Sequence, residues 1–178
     1  MTWTIIVLVV LAVVLWSFYV SWRASRLDRL HNRVEAARTA LDLALVGRAS
    51  AASELASSGQ LDPATSLLLA DAVRRARGAD PAERDLAESD LTRALRATVG
   101  DPEVRKELAA DDGTAELVAG VEDAAQRVFI ARKFYNDLAG RTIDARRRPL
   151  VRVLRLYGGA PQPGFFDMDD ALTDGGPE

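Results

Sequence analysis

The sequence predicts an all-α protein: a single N-terminal transmembrane helix followed by an antiparallel four-helix bundle whose first and last helices are long. Three observations predict it. An uncharged apolar run opens the chain, three Asp-Pro dipeptides punctuate the middle, and two long stretches carry apolar residues at alternating steps of three and four. No stretch alternates with period two, so no sheet is expected.

The first element is "WTIIVLVVLAVVLWSFYVSW", Trp3 to Trp22, 20 residues without a charge. At about 1.5 Å per residue such a helix covers the roughly 30 Å of a bilayer core. Trp16, Tyr19 and Trp22 crowd one end of it, as suits amphipathic rings that settle near headgroups. A buried core helix would show a polar side, and a cleaved signal peptide would show a basic start and a small-residue cleavage site. Neither is present, so a retained anchor over 3–22 is expected. Arg23, Arg26, Arg29 and Arg33 follow the run and nothing basic but the α-amino group precedes it. The positive-inside bias then predicts a single-pass protein of the inner (cytoplasmic) membrane, N-terminus out and bundle in the cytoplasm.

Each later helix has a physical reason to start. Asp62-Pro63, Asp80-Pro81 and Asp101-Pro102 pair a strong N-cap with a residue favoured at the first helical position. Glu83 and Glu103 follow as the acids of capping boxes, and Gly113-Thr114 is a weaker start. Gly59, Gly78 and Gly100 stand before these starts, where a left-handed residue would end the preceding helix. Helix 1 is expected over about 27–58, on a heptad seam of Leu27, Leu30, Val34, Ala37, Leu41, Ala44, Arg48, Ala51 and Leu55. Helix 2 (about 63–77) relies on Leu68, Leu69 and Val73, and helix 3 (about 81–99) on Leu91, Leu95 and Val99. Helix 4 (about 114–147) repeats the seam with Leu117, Val121, Ala124, Val128, Ala131, Tyr135, Leu138 and Thr142. Ile130 and Phe134 widen its apolar face, which predicts contact with two neighbours. Short connections favour antiparallel neighbours, so the far end of helix 4 should return to the membrane beside the arginines of helix 1.

Composition narrows the chemistry. The chain has no Cys and only one His, His31, which excludes disulfides, thiolate metal sites and a catalytic His pair. Of 23 basic residues only Lys106 and Lys133 are Lys, and Ala is abundant, a pattern of high-GC bacterial genomes. Net charge is -3, but the tail carries Asp167, Asp169, Asp170, Asp174 and Glu178 with no base, so the rest is mildly basic. The Gly/Pro-rich acidic tail, 158–178, is expected to be disordered, with Phe165 and Phe166 as the residues by which it could dock. Asp111-Asp112 and the tail acids match no calcium loop, and no hydrolase, zinc-protease or nucleotide-binding motif occurs. No catalytic residue, metal ligand or cofactor is expected.

Two residue groups stand out. Six arginines against the single acid Asp144 lie between 141 and 155, interleaved with apolar residues. With the juxtamembrane bases they give Arg23, Arg26, Arg146, Arg147, Arg148 and Arg152 as candidate contacts to anionic lipid, the alternative being a solvated helix end. No nucleic-acid-binding motif accompanies the charge, so nucleic acid is not the expected partner. The second group is Tyr135 and Asn136 with Asp42 and Arg48, at or beside the seams, read as a polar network that sets the register of the two long helices.

Several stretches resemble the LemA family of bacterial proteins. "HNRVEAARTALDLALVGRASAASELA" (31–56) is similar to that family's first long helix. "EDAAQRVFIARKFYNDLAGRTID" (122–144) is similar to its most specific signature, an acidic start followed by A-R-x-x-Y-N with Arg132, Tyr135 and Asn136. "RPLVRVLRLYGGAPQPGFFDMDD" (148–170) is similar to its closing segment, whereas 103–116 departs from the family pattern. The resemblance implies a LemA-like bundle over 23–157 behind the anchor, on the cytoplasmic side, with no established catalytic activity. It also implies a membrane-associated protein partner, because family members tend to be encoded near membrane metalloproteases or a small-domain family linked to membrane stress. The expectation is a non-catalytic interaction or scaffold protein that presents helical faces to a partner or to a second copy of itself. An organiser of anionic lipid is the alternative, and a cryptic enzyme or ligand-binding domain stands third.

Overall fold

A computed structural model describes residues 2–108, 110–153 and 161–172. It is all-helical, with six helices and no strand among the described residues: α1 Thr2–Ser57, α2 Pro63–Gly78, α3 Arg84–Val99, α4 Pro102–Leu108, α5 Asp112–Arg147 and α6 Pro149–Val153. Thr2–Trp22 is long and apolar enough to cross a membrane, with a mean hydropathy of 2.5 and none of it buried. That stretch does not end before helix 1 begins, as expected, but continues into it as one helix of 56 residues. The reason is local: residues 23–33 hold neither Pro nor Gly, and the Ser25 hydroxyl turns back to donate to the Ser21 carbonyl at 3.0 Å without breaking the ladder.

The helix boundaries follow the capping chemistry in part. At the end of α1 the Ser58 hydroxyl donates to the Leu55 carbonyl at 2.8 Å and Gly59 takes φ +76°, the left-handed residue expected there. Asp62 caps α2 by accepting from the N–H groups of Ala64 and Thr65, each at 3.0 Å. The other two glycines behave differently. Gly78 is the last residue of α2 and Gly100 has φ -77°, so neither is left-handed. A Cβ on Gly100 would clash first with the Arg96 carbonyl oxygen and then, at 2.7 Å, with that of Leu172, so this glycine accommodates both the end of α3 and the C-terminal segment. Asp80-Pro81 opens a turn, closed by the Glu83 N–H on the Asp80 carbonyl at 2.9 Å, and α3 starts only at Arg84 with no side-chain cap. Asp101 caps the short helix α4 through the Glu103 N–H at 2.8 Å, as its Asp-Pro start predicts, and Asp111 caps α5 through Thr114 at 3.0 Å.

The chain divides into two compact units: Met1–Ala36 with Asp137–Phe165, and Ala37–Asn136 with Phe166–Glu178. Helices α1 and α5 each contribute residues to both units. In the first unit Val34, Leu138, Ala139, Thr142 and Val151 are buried. In the second, one core joins Ala49, Ala52 and Leu55 of α1, Leu69, Ala72, Val73 and Ala76 of α2, Leu91, Leu95 and Val99 of α3, and Val118 and Val121 of α5. The seam of α1 slides from its expected register: Leu45, Ala49 and Ala52 are buried while Ala44 and Ala51 are half-buried. A straight helix turns every 3.6 residues, so a strict heptad drifts off its face within a few turns. Leu68, Ile130 and Phe134 are exposed, and the wide apolar face expected of α5 is not buried against other helices.

Over 161–172 the tail has a described path against the helices. It runs without helix or strand, and Phe166 and Met168 are buried at 1% and 5% exposure. Residues 158–160 and 173–178 of that tail lie outside the described residues.

Candidate functional site

In the first unit, spacing alone gathers a basic cleft. Arg26, Arg29 and Arg33 recur at steps of three and four on α1, and Arg141, Ala145 and Arg148 recur likewise along α5 and just beyond it, so each set shares one helical face. The two faces line one cavity of about 620 Å³ together with Trp22, Leu30, Asp144 and Val151. Among the described residues, five guanidiniums thus meet one carboxylate. Arg141 pairs with Asp137 at 3.0 Å, and Asp144 lies 4.0 Å from Arg147. The side chains of Arg26, Arg29, Arg33 and Arg148 make no hydrogen bond or ion pair with any other described residue. Uncompensated charge of one sign in a concave site concentrates counter-ions of the other sign.

Of the arginines singled out in the sequence, the cleft takes Arg26 and Arg148. Arg146 is half-buried and does not line it, and Arg147 and Arg152 are exposed outside it. The side chain of Arg23 lies outside the described residues. Arg29, Arg33 and Arg141 belong in the site and were not chosen as candidates, although their period on the two helices was visible.

In the second unit Arg132 and Asn136 of α5 hold the C-terminal segment. The Asn136 amide donates to the Phe166 carbonyl at 3.0 Å and accepts from the Phe166 N–H at 2.9 Å, as a backbone neighbour would. Arg132 grips Asp170 with two bonds of 2.6 and 3.0 Å. Tyr135 is buried, and the Arg38 guanidinium lies 5.5 Å from its ring centre and 5.1 Å from that of Phe166. From α3, Arg96 chelates Asp169 at 2.8 and 2.9 Å and also donates to the Ala171 carbonyl, Asp85 accepts from the Asp167 N–H, and Ser89 accepts from the Asp169 N–H. Partial burial draws the Asp169 carboxyl upward, but the bonds from Arg96 and the Ala171 N–H outweigh it and hold the group below the usual carboxylate range.

Arg48 corrects the expected network between the two long helices. It is fully buried and bonds to α3, to the Thr92 hydroxyl at 2.7 Å and to the Glu88 carboxylate and carbonyl at 2.7 and 3.1 Å. Burial lowers the Arg48 pKa and raises that of Glu88, each partly offset by the other's charge. Asp42 lies 3.5 Å from Arg38 and 3.2 Å from Arg84, and so also ties α1 to α3. The missed partner Glu88 stands one turn before Leu91 and Thr92 on the apolar face of α3, a position an acid occupies only when paired.

A second hollow of about 480 Å³ in this unit is lined by Asp62, Glu107 and Asp111 among others, but Asp62 and Asp111 are occupied as helix caps. No group of three or more potential metal-ligating side chains occurs among the described residues. Comparison with protein-family models, with curated proteins and with solved structures finds no match to this chain.

Proposed function

We propose that the chain is a membrane-anchored, non-catalytic interaction protein of the LemA type. In this reading residues 3–22 cross the cytoplasmic membrane with the N-terminus outward. Helices α1, α2, α3 and α5 form an antiparallel four-helix bundle in the cytoplasm, a reading supported by the one core that all four supply. The observation that carries the functional reading is a set of apolar doublets facing away from that core. Leu43 and Val46 on α1, Leu67 and Leu68 on α2, and Ile130 and Phe134 on α5 are each 55–73% exposed. Single exposed apolar residues are ordinary, but Leu43 with Val46 and Ile130 with Phe134 stand three and four residues apart and so share a helical face, the spacing from which helix-groove interfaces are built. Leu67 and Leu68 add an adjacent exposed pair.

The partner is a membrane-associated protein or a second copy of the chain. A photo-activatable residue placed at Leu68 or Phe134 in cells, with Arg74 as an exposed control, tests it. A discrete crosslinked species from the doublets and none from Arg74 is expected, and a product of twice the chain mass would identify self-association. Absence of any discrete product from both doublets would refute the reading.

A further inference from the structure

The basic cleft of the first unit has a chemistry the protein-interaction reading does not use. We propose that it binds the headgroup of an anionic phospholipid, best one bearing two phosphodiesters. The proposal rests on the reading that Thr2–Trp22 spans the bilayer, and three independent observations carry it.

The first is depth. Trp22 closes the apolar stretch and also lines the cleft, so the cleft begins where the hydrocarbon ends. Arg26 and Arg29 lie four and seven residues further on, about 6 and 10 Å along the axis. The headgroup layer is about 5–8 Å thick on each side, so these two guanidiniums sit at or just beyond its outer edge. Trp22 beside them is the residue type that prefers this boundary.

The second is charge. Among the described residues, Arg26, Arg29, Arg33 and Arg148 have no carboxylate partner, and Asp144 alone stands against five guanidiniums in the cleft. A single phosphodiester would leave most of that charge uncompensated, whereas two would neutralise half of the four unpaired bases. Guanidinium forks also match phosphate oxygens in pairs, which ammonium groups do not.

The third is size and lining. About 620 Å³ lies within the range of small-molecule sites and leaves room for a linker between two phosphates. Leu30, Ala145 and Val151 give the cleft an apolar side, which suits the glycerol and the first carbons of the acyl chains better than a free inorganic anion. Basic pockets beside transmembrane helices are known places for such headgroups.

The test uses the full chain in nonionic detergent and native mass spectrometry, titrating diphosphatidylglycerol, phosphatidylglycerol, phosphatidylcholine and inorganic pyrophosphate separately. Expected is tightest binding of diphosphatidylglycerol, at least tenfold over phosphatidylcholine. Arg29→Gln with Arg148→Gln should weaken it about 25-fold, roughly fivefold per guanidinium. Arg74→Gln with Arg127→Gln, which removes two exposed arginines paired with Asp71 and Asp123, should leave it unchanged. Unchanged circular dichroism would show that both double variants fold. Equal binding of phosphatidylcholine, equal losses in the two double variants, or pyrophosphate binding as tightly as the lipid would each overturn the proposal. Alkaline carbonate extraction of the same chain reads the anchor separately, so a failed span and a failed cleft are distinguishable.

Discussion

Arg48→Met removes the cation from the buried pair with Glu88, and its cost follows from what is left behind. Glu88 is 3% exposed and would lose two hydrogen bonds and the buried counter-charge of Arg48. Removing one partner of such a pair costs about 3–5 kcal/mol, a large part of a typical total of about 5–15 kcal/mol. Arg48→Met with Glu88→Leu should recover most of that loss, because the Thr92 hydroxyl still donates to the backbone carbonyl of residue 88 at 3.1 Å and no polar side chain of the network is stranded. A pH signature accompanies it. Burial already raises the Glu88 pKa, and without the Arg48 charge it rises further. For an acid whose folded pKa exceeds its unfolded one, the associated stability is present below the unfolded value, near 4.3, and is lost as pH rises through the folded value. The single variant should therefore be closest to the parent near pH 5 and furthest from it near pH 8. Urea denaturation of the full chain in nonionic detergent, followed by far-UV circular dichroism at both pH values, measures this. A cost under about 1 kcal/mol at pH 8, or a cost independent of pH, would refute the reasoning.

The C-terminal segment gives three further tests, all read by amide hydrogen exchange over 161–172. Asn136→Ala removes both bonds to the Phe166 backbone, about 1 kcal/mol each, and should speed exchange there by roughly 30-fold while leaving the α3 core protected. Because the Asp169 carboxyl is held below its usual range, its contribution to docking is present above about pH 4 and lost as pH falls through the folded value. Exchange in the segment should accordingly rise below pH 4 before the helices unfold. Gly100→Ala puts a Cβ against both the Arg96 and the Leu172 carbonyls and should speed exchange at that end of the segment and in the last turn of α3 together, whereas Gly47→Ala, with open space around it, should change neither.

What could be read from the sequence, and what could not, divides along physical lines. Local signals were legible: the apolar run, the Asp62 and Asp101 caps, the Gly59 turn and the burial of Leu91, Leu95 and Val99 all follow from chemistry within a few residues. Partner choice was not. The polarity of Arg48 marks it as paired, but whether Glu88 or a residue of α5 answers it depends on which helices meet. The tail shows the same limit from the other side. Its composition, rich in Gly, Pro and Asp, cannot form a core of its own, yet Arg96, Arg132 and Asn136 hold it at positions far away in the chain. The basic cleft lay between these cases. The periodicity of Arg26, Arg29 and Arg33 was plain, while their meeting with Arg141 and Arg148 required the return of α5.

The proposed anchoring, with the helical part in the cytoplasm, can be measured directly because the chain has no Cys. Gln60→Cys places one thiol in the exposed loop between α1 and α2. Treated with a membrane-impermeant maleimide, intact spheroplasts should leave it unlabelled, and lysis should make it reactive. Labelling of intact spheroplasts at the rate seen after lysis would put the helical part outside and contradict the account.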